Sequence, residues 1–274
     1  MTAMQNLHTH TTYVDGILDA ESMILAAIDR GCDSIGFSEH SHLEFDFYYA
    51  LSKEDTYKYA NEITELKLKY KNKIDVFLGL ERDYYSDIEP DICFDYIIGT
   101  AHYFRKNGVN VCVDNGAVLQ GESVNTHCSG DYYSFAEEYY AVMSDIARKT
   151  KCDIVGHFDL VAKFNEGSRY FDESHPRYVT AVLSAIDEII KTCNIFEVNT
   201  GSMFRLKKTV PSPSPFILKE LKKRGAEVVL SSDSHSPESL CYKFDEVSGL
   251  LQSCGFTYVK RLTETGFISV KLKV

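Results

Sequence analysis

Basic residues are in short supply: 29 Lys and Arg stand against 40 Asp and Glu, a net charge of −11. Non-specific nucleic-acid binding runs on clustered Lys and Arg, so this balance argues against it. An anionic substrate stays open, because bound cations can reverse the sign locally. No two of the eight cysteines form a C-x-x-C pair. The chain is also too long for a small disulfide scaffold, so the thiols read as reduced and the protein as cytoplasmic. No run of about 18 apolar residues exists that could cross a membrane as a helix. Met1 to Thr12 lacks the basic-then-apolar order of a signal peptide. Internal repeats and low-complexity tracts are absent.

What remains is an ordinary globular composition, 44% hydrophobic and 25% charged over 274 residues. A chain of that length can bury a full core as one large domain. Short apolar runs alternate with helical stretches. The strands expected are Gln5–Leu7, Ser34–Phe37, Val76–Leu80, Tyr96–Ala101, Ile154–Val155, Ile195–Val198 and Val228–Leu230. Asp19 caps a helix that runs through Arg30 and closes at Gly31. Lys53–Lys71 and Arg177–Thr192 are amphipathic by spacing. Ser134 and Glu137 have the spacing of a capping box ahead of a helix over Phe135–Arg148. Ser214 and Pro215 open a helix that stops at Gly225. Strand–helix alternation over the whole length predicts a parallel sheet, and about seven units with no linker predict a closed or nearly closed α/β barrel spanning 1–274. Tyr103–Tyr133 interrupts the alternation with no clear period. A segment that long reads as a functional insertion, and Val109–Val113 as one arm of a small hairpin in it.

Almost every expected strand runs into a His, Asp or Glu. Leu7 leads to His8 and His10, Phe37 to Glu39 and His40, Leu80 to Glu81, and Ala101 to His102. Val155 leads through Gly156 to His157, and Leu230 through two serines to Asp233 and His235. In a parallel barrel those strand ends share one face. Converging imidazoles and carboxylates suit a divalent metal such as Zn, Mn or Fe. With Asp15 the candidates are His8, His10, Asp15, His40, Glu81, His102, His157, Asp233 and His235. At roughly three or four protein ligands per ion, this set serves two or three ions. A lone H-x-H pair binds nothing in most proteins; the weight comes from six such signals in barrel order. His127 and His175 fall outside the pattern. The Tyr pairs, lacking interleaved basic residues, read as packing.

The motifs His8-Thr9-His10, Ser38-Glu39-His40, Gly79-Leu80-Glu81, Gly99-Thr100-Ala101-His102, Gly156-His157-Phe158-Asp159-Leu160 and Ser232-Asp233-Ser234-His235 resemble the ordered motifs of the polymerase and histidinol phosphatase (PHP) family. Within it they are most similar to the monofunctional histidinol-phosphate phosphatases. Gly156–Leu160 and Asn199-Thr200-Gly201 favour that subgroup. The resemblance spans nearly the whole chain and implies a distorted (β/α)7 TIM-like barrel with a trinuclear metal centre. It implies one ion on His8, His10, Glu81 and Asp233, a second on Glu81, His102 and His157, and a third on Asp15, His40 and His235. It further implies hydrolysis of L-histidinol phosphate in histidine biosynthesis by a metal-bridging hydroxide, with Glu81 and Asp233 holding the metals that activate it. Asp15 stands where many relatives carry His, which leaves the third metal's identity open.

Three divalent ions outweigh the carboxylates of Asp15, Glu81 and Asp233, leaving a positive site suited to a phosphate dianion. His42, Lys163 and Arg205 lie just past strand ends and are the expected phosphate contacts, with His42 also a candidate acid for the leaving group. Two alternatives stand beside this reading: a PHP enzyme acting on protein phosphotyrosine or nucleic acid, and a metal-binding module without catalysis. All nine candidate ligands are present, which disfavours the second.

Overall fold

A computed structural model describes residues 4–88 and 91–272. Its centre is a seven-stranded parallel sheet. In chain order, with the elements between them, the first part runs β1 (Gln5–Asn6), α1 (Ala20–Asp29), β2 (Ser34–Phe37), α2 (Lys53–Tyr70), β3 (Asp75–Asp83) and β4 (Tyr96–Thr100). An antiparallel hairpin follows, β5 (Tyr103–Lys106) and β6 (Val109–Cys112), then α3 (Ala117–Cys128), α4 (Tyr132–Met143) and α5 (Ile146–Thr150). The alternation resumes with β7 (Ile154–Val155), α6 (Pro176–Ile189), β8 (Ile195–Asn199), α7 (Gly201–Arg205), α8 (Pro215–Lys223) and β9 (Glu227–Ser231). It ends in α9 (Phe244–Ser253) and a second hairpin, β10 (Tyr258–Thr263) and β11 (Gly266–Lys271).

The sheet order is β1-β2-β3-β4-β7-β8-β9, all parallel. Its two edges meet just past the ends of β1 and β9, where the His10 amide donates to Ser234 O at 2.8 Å and the Ser234 amide to His8 O at 2.9 Å. The barrel is thus nearly closed, and closed at the end where the candidate ligands sit. At the opposite end β10 covers the gap: the Gln5 side chain donates to Leu262 O and accepts from Leu262 N, at 2.9 and 2.8 Å.

The barrel interior explains two glycines. Tyr96 is fully buried and packs with Leu7, Phe77, Ile98, Ile154, Val229 and Leu262. Its hydroxyl reaches across to the carbonyls of Leu7 and Phe37. A Cβ at Gly36 or Gly79 would collide with that side chain, so one bulky aromatic facing two bare backbones fills the floor beneath the site.

All seven strands expected from the sequence are the seven of this sheet, and α1, α2, α6 and α8 begin within a residue or so of their expected starts. The Asp19 side chain accepts from Ser22 N and the Ser52 side chain from Asp55 N, the expected satisfaction of orphan helix amides. Two expectations change. The helix expected over Phe135–Arg148 starts at Tyr132, capped by Asp131 through Tyr133 N, and breaks after Met143 before α5. With the N-cap at Asp131, Ser134 and Glu137 lie inside the helix and form no capping box; the Glu137 carboxylate instead accepts from Arg177, at 2.7 and 2.6 Å. Tyr103–Tyr133 is likewise more ordered than its lack of period suggested, being a hairpin and a helix. Phe104, Val111, Val113 and Val124 anchor it in the same core as α4 and α6. Among the described residues no helix is long and apolar enough to cross a membrane, and all eight cysteines are free.

Candidate metal centre

The nine candidate residues converge at the closed end of the barrel. His8 and His10 follow β1 on an extended segment, so side chains two apart share a face. Glu81 lies within β3 and faces the interior; β2 is prolonged irregularly beside it, with an isolated bridge pairing His40 to Glu81. His102 follows β4, His157 follows β7, and Asp233 and His235 follow β9. Asp15 comes from the turn after His10.

Glu81 sits at the hub. Its Oε2 is 2.7 Å from His40 Nδ1, 3.3 Å from His8 Nε2 and 3.6 Å from His10 Nε2. Its Oε1 is 2.8 Å from His157 Nε2 and 3.5 Å from His102 Nε2. Asp233 Oδ1 lies 3.3 Å from His10 Nε2 and 3.7 Å from His8 Nε2. Asp15 Oδ2 lies 3.1 Å from His235 Nε2 and 3.9 Å from His40 Nε2. Three sets of donor atoms each fall within 4.8 Å of one another: His8, His10 and Asp233; His40, Glu81 and His102; and His10, Asp15, His40 and His235. His40 therefore belongs with Glu81 as well as with Asp15, and His10 bridges two of the sets.

The chemistry of this cluster fits several divalent cations. Buried polar atoms are almost always hydrogen-bonded, yet here His8 Nε2, both ring nitrogens of His10, Asp15 Oδ1, Glu39 Oε2 and Glu81 Oε2 are buried without such a partner. They are aimed at one another, and a shared cation satisfies donors so arranged.

Carboxylates behind the cluster hold the imidazoles. Glu197, fully buried on β8, lies 2.5 Å from His8 Nδ1, accepts from the His157 amide at 2.7 Å and from Asn199 Nδ2 at 3.1 Å, and is also bonded by Ser231 Oγ. Asp83 accepts from the His102 amide at 2.9 Å and lies 3.3 Å from its Nδ1. Glu39 takes the amide and hydroxyl of Thr11 at 2.6 Å each. These outer carboxylates fix ring orientation and leave Nε2 of His8 and His102 pointing inward. Glu197→Gln should lower divalent-metal affinity about ten- to a hundredfold, measured by competition with a chromophoric chelator; unchanged affinity would remove Glu197 from the support of the site.

Without cations the electrostatics are those of protons standing in for metal. Burial alone would lower the imidazole pKa values, but surrounding carboxylates reverse this. His8 is raised well above its ordinary value by Glu197, Asp233 and Glu81. His10 is raised to about 10 by Asp233, Glu39 and Asp15, and His102 to about 9 by Glu81 and Asp83. Burial opposes ionisation of Glu81 and Asp233, yet neighbouring His rings, and Arg205 for Asp233, hold both well below the usual carboxylate range.

Arg205, on α7, donates to Asp233 O and Asp233 Oδ2 at 2.7 Å each and lies 2.9 Å from His235 Nδ1. This clamp stabilises a backbone conformation that L side chains rarely adopt: Asp233 has φ 46°. Lys163 pairs with Asp114 at 2.9 Å. Both cations line a cavity of about 480 Å³ whose floor includes His40, Glu81, His102, His157 and Asp233. The insertion contributes Tyr103, Cys112, Asp114, Asn115 and Gly116 to its wall. His42 is not brought in. It is not among the residues lining the cavity, and its ring instead meets Leu51 O at 2.9 Å, which removes the basis for expecting it to contact phosphate or serve as an acid.

A family model described as PHP domain matches residues 6–201. A Deinococcus radiodurans protein named "Probable histidinol-phosphatase" is 26% identical over 93% of this chain and 95% of its own length. The Bacillus subtilis "Histidinol-phosphatase" is 27% identical over 80% of this chain and 88% of its own. A Lactococcus lactis histidinol phosphate phosphatase, solved with zinc, L-histidinol and phosphate, superposes with a TM-score of 0.72 at 19% identity, covering 97% of this chain and 99% of that one.

Proposed function

Because this chain belongs to the PHP-domain family, we propose that it hydrolyses L-histidinol phosphate to L-histidinol and inorganic phosphate, with several bound divalent cations. The observation that carries the proposal is the convergence of six histidines with Asp15, Glu81 and Asp233 beneath a cavity of about 480 Å³ whose wall also holds Arg205 and Lys163. The names of the curated relatives, and the ligands of the Lactococcus structure, support it.

In this reading His8, His10 and Asp233 would hold one ion. Glu81, with His40, His102 and His157, would hold a second. Asp15 and His235 would hold a third together with whichever of His10 and His40 is not engaged by the other ions, since a neutral imidazole serves one cation. Zn, Mn and Fe all suit such a donor set. When bound, the cations supply neutralising charge, a Lewis-acid grip on phosphate and activation of water near neutral pH.

The chain's own groups do the rest. Glu197 and Asp83 orient His8 and His102. Arg205 anchors Asp233, and its remaining N–H donors are available to phosphate oxygens; Lys163, held by Asp114, offers a second cationic donor. The insertion at 103–133 walls the pocket of a single barrel domain. The acidic balance of the chain and the size of the cavity support a small phosphomonoester over nucleic acid, and a role in histidine biosynthesis in the cytoplasm is part of this reading.

A phosphate-release screen of the metal-loaded protein tests the proposal. It should include small phosphomonoesters with L-histidinol phosphate among them, a phosphotyrosyl peptide and a DNA strand. L-Histidinol phosphate should give the highest kcat/KM. Faster turnover of the peptide or DNA, or no release from any substrate, would overturn it.

A further inference from the structure

We propose that Asp46 selects substrates carrying an ammonium group, a specificity that rests on the L-histidinol phosphate reading above. Asp46 lies on the segment between β2 and α2, on the wall of the metal-site cavity, and is 9% exposed. Its Oδ1 accepts from the amides of Tyr48 and Tyr49 at 3.0 Å each, and its Oδ2 from the Tyr103 hydroxyl at 2.6 Å. Burial opposes its ionisation, but these donors outweigh burial and keep the carboxyl below its ordinary value.

The hydrogen-bond donors are neutral, and the His40 ring acts on the carboxylate only through its charge, without an ion pair. Two other carboxylates on the same wall have Lys or Arg partners: Asp114 has Lys163 and Asp233 has Arg205. Among the described residues no Lys or Arg pairs with Asp46. A buried charge of this kind is costly unless something positive arrives.

The surroundings fit an organic cation. Tyr103 and Tyr49 share the cavity wall, and Phe45 meets the Tyr103 ring edge-on at 5.0 Å. A desolvated carboxylate beside aromatic rings attracts ammonium through both charge and the ring faces. The position suits the substrate as well. His40, one of the proposed metal ligands, is close enough for its charge to act on Asp46. In L-histidinol phosphate the amine is three bonds from the ester oxygen, so with phosphate on the metals the ammonium stays within a few ångströms of the metal site, on whose cavity wall Asp46 lies.

Asp159 is the competing candidate. It too lines the cavity without a Lys or Arg partner, and its oxygens accept from the Ser212 hydroxyl and the Ser214 amide; the cavity-wall aromatics Tyr49 and Tyr103, both bonded to Asp46, favour Asp46.

The test compares L-histidinol phosphate with its deamino analogue, 3-(imidazol-4-yl)propyl phosphate, on the metal-loaded wild type, Asp46→Asn and Asp159→Asn. Asn keeps an oxygen for the Tyr48 and Tyr49 amides and an amide group for the Tyr103 hydroxyl, so the loop survives the change. The wild type should prefer the amine substrate by roughly ten- to a hundredfold in kcat/KM, the worth of one charge-assisted contact. Asp46→Asn should erase that preference by raising KM for the amine substrate, with metal content and deamino turnover unchanged, and Asp159→Asn should retain it. An equal loss on both substrates in Asp46→Asn, no preference in the wild type, or a preference erased by Asp159→Asn would each overturn the assignment. No turnover of either compound by the wild type would instead overturn the substrate reading, and this inference with it.

Discussion

Glu81→Gln should lower kcat/KM on L-histidinol phosphate by more than about a hundredfold, beyond the loss of any single charge-assisted contact, and should lower the metal content of the chain. The reason is the position of the carboxylate. Its two oxygens lie within 3.6 Å of ring nitrogens from His8, His10, His40, His102 and His157. Gln keeps the shape but loses the charge, and its amide group would face imidazole nitrogens that need an acceptor or a cation. A carboxylate can bridge two ions, and an amide is a far weaker ligand.

Arg205→Ala provides the contrast. It should cost roughly ten- to a hundredfold, and more of that loss should appear as weakened metal binding than a pure phosphate contact would give, because Arg205 holds both the carbonyl and the carboxylate of Asp233. Metal equivalents and kcat/KM measured together on both variants separate the roles. A Glu81→Gln protein with full metal content and near-wild-type turnover would contradict the assignment.

Stripping the metals should abolish turnover and change how stability responds to pH. In the metal-free site His10 titrates near 10 and His102 near 9, above the value of about 6.5 expected for an unfolded chain. A raised folded-state value means that the folded protein holds protons the unfolded chain has released. The stability this contributes is fully present below about pH 6.5 and is lost as pH rises through 9 to 10. Metal-free protein should therefore unfold more easily at pH 10 than at pH 7, and loaded protein should show less of this trend, because cations replace the protons. Adding zinc at pH 7 should release protons into weakly buffered solution, read with an indicator dye. Zinc binding with no proton release would mean that those imidazoles are not ligands.

The fold was legible because buried parallel strands read as short apolar runs, and here each run ends on a residue that apolar packing would not choose. Ile154–Val155 is only two residues long, yet His157 after it marks it as a barrel strand. The nine inward residues were legible for the same reason.

The supporting carboxylates were not, since their role depends on neighbours far away in sequence. Glu197 carried a signal in hindsight, an acid inside the apolar strand Ile195–Asn199. Glu39 sits next to His40 within a quoted motif and Asp83 two residues past Glu81, so nothing in the spacing sets either apart as a support rather than a ligand. His42 failed for the opposite reason: it sits two residues past a ligand, but its ring is taken by Leu51 O, a partner nine residues on that the motif does not announce.

The hairpin of residues 103–112 had a clear mark, Asn107-Gly108, both at positive φ, the usual chemistry of a tight two-residue turn. The C-terminal helix and hairpin were also readable. Phe244, Val247 and Leu251 form the buried stripe of α9, and Tyr258–Thr263 is a strand whose two-residue turn, Glu264-Thr265, is followed by Gly266 at the start of the next. Those features sat beyond the last metal motif and drew no expectation.

The central claim is that this barrel end holds more than one divalent cation and needs them for phosphate ester hydrolysis. The most direct measurement is to titrate chelator-stripped protein with zinc or manganese while following both bound metal per chain and L-histidinol phosphate turnover. The account predicts that activity keeps rising past one equivalent and reaches its plateau only at two or three. Full activity at one equivalent or less, or full activity in the stripped protein, would contradict it.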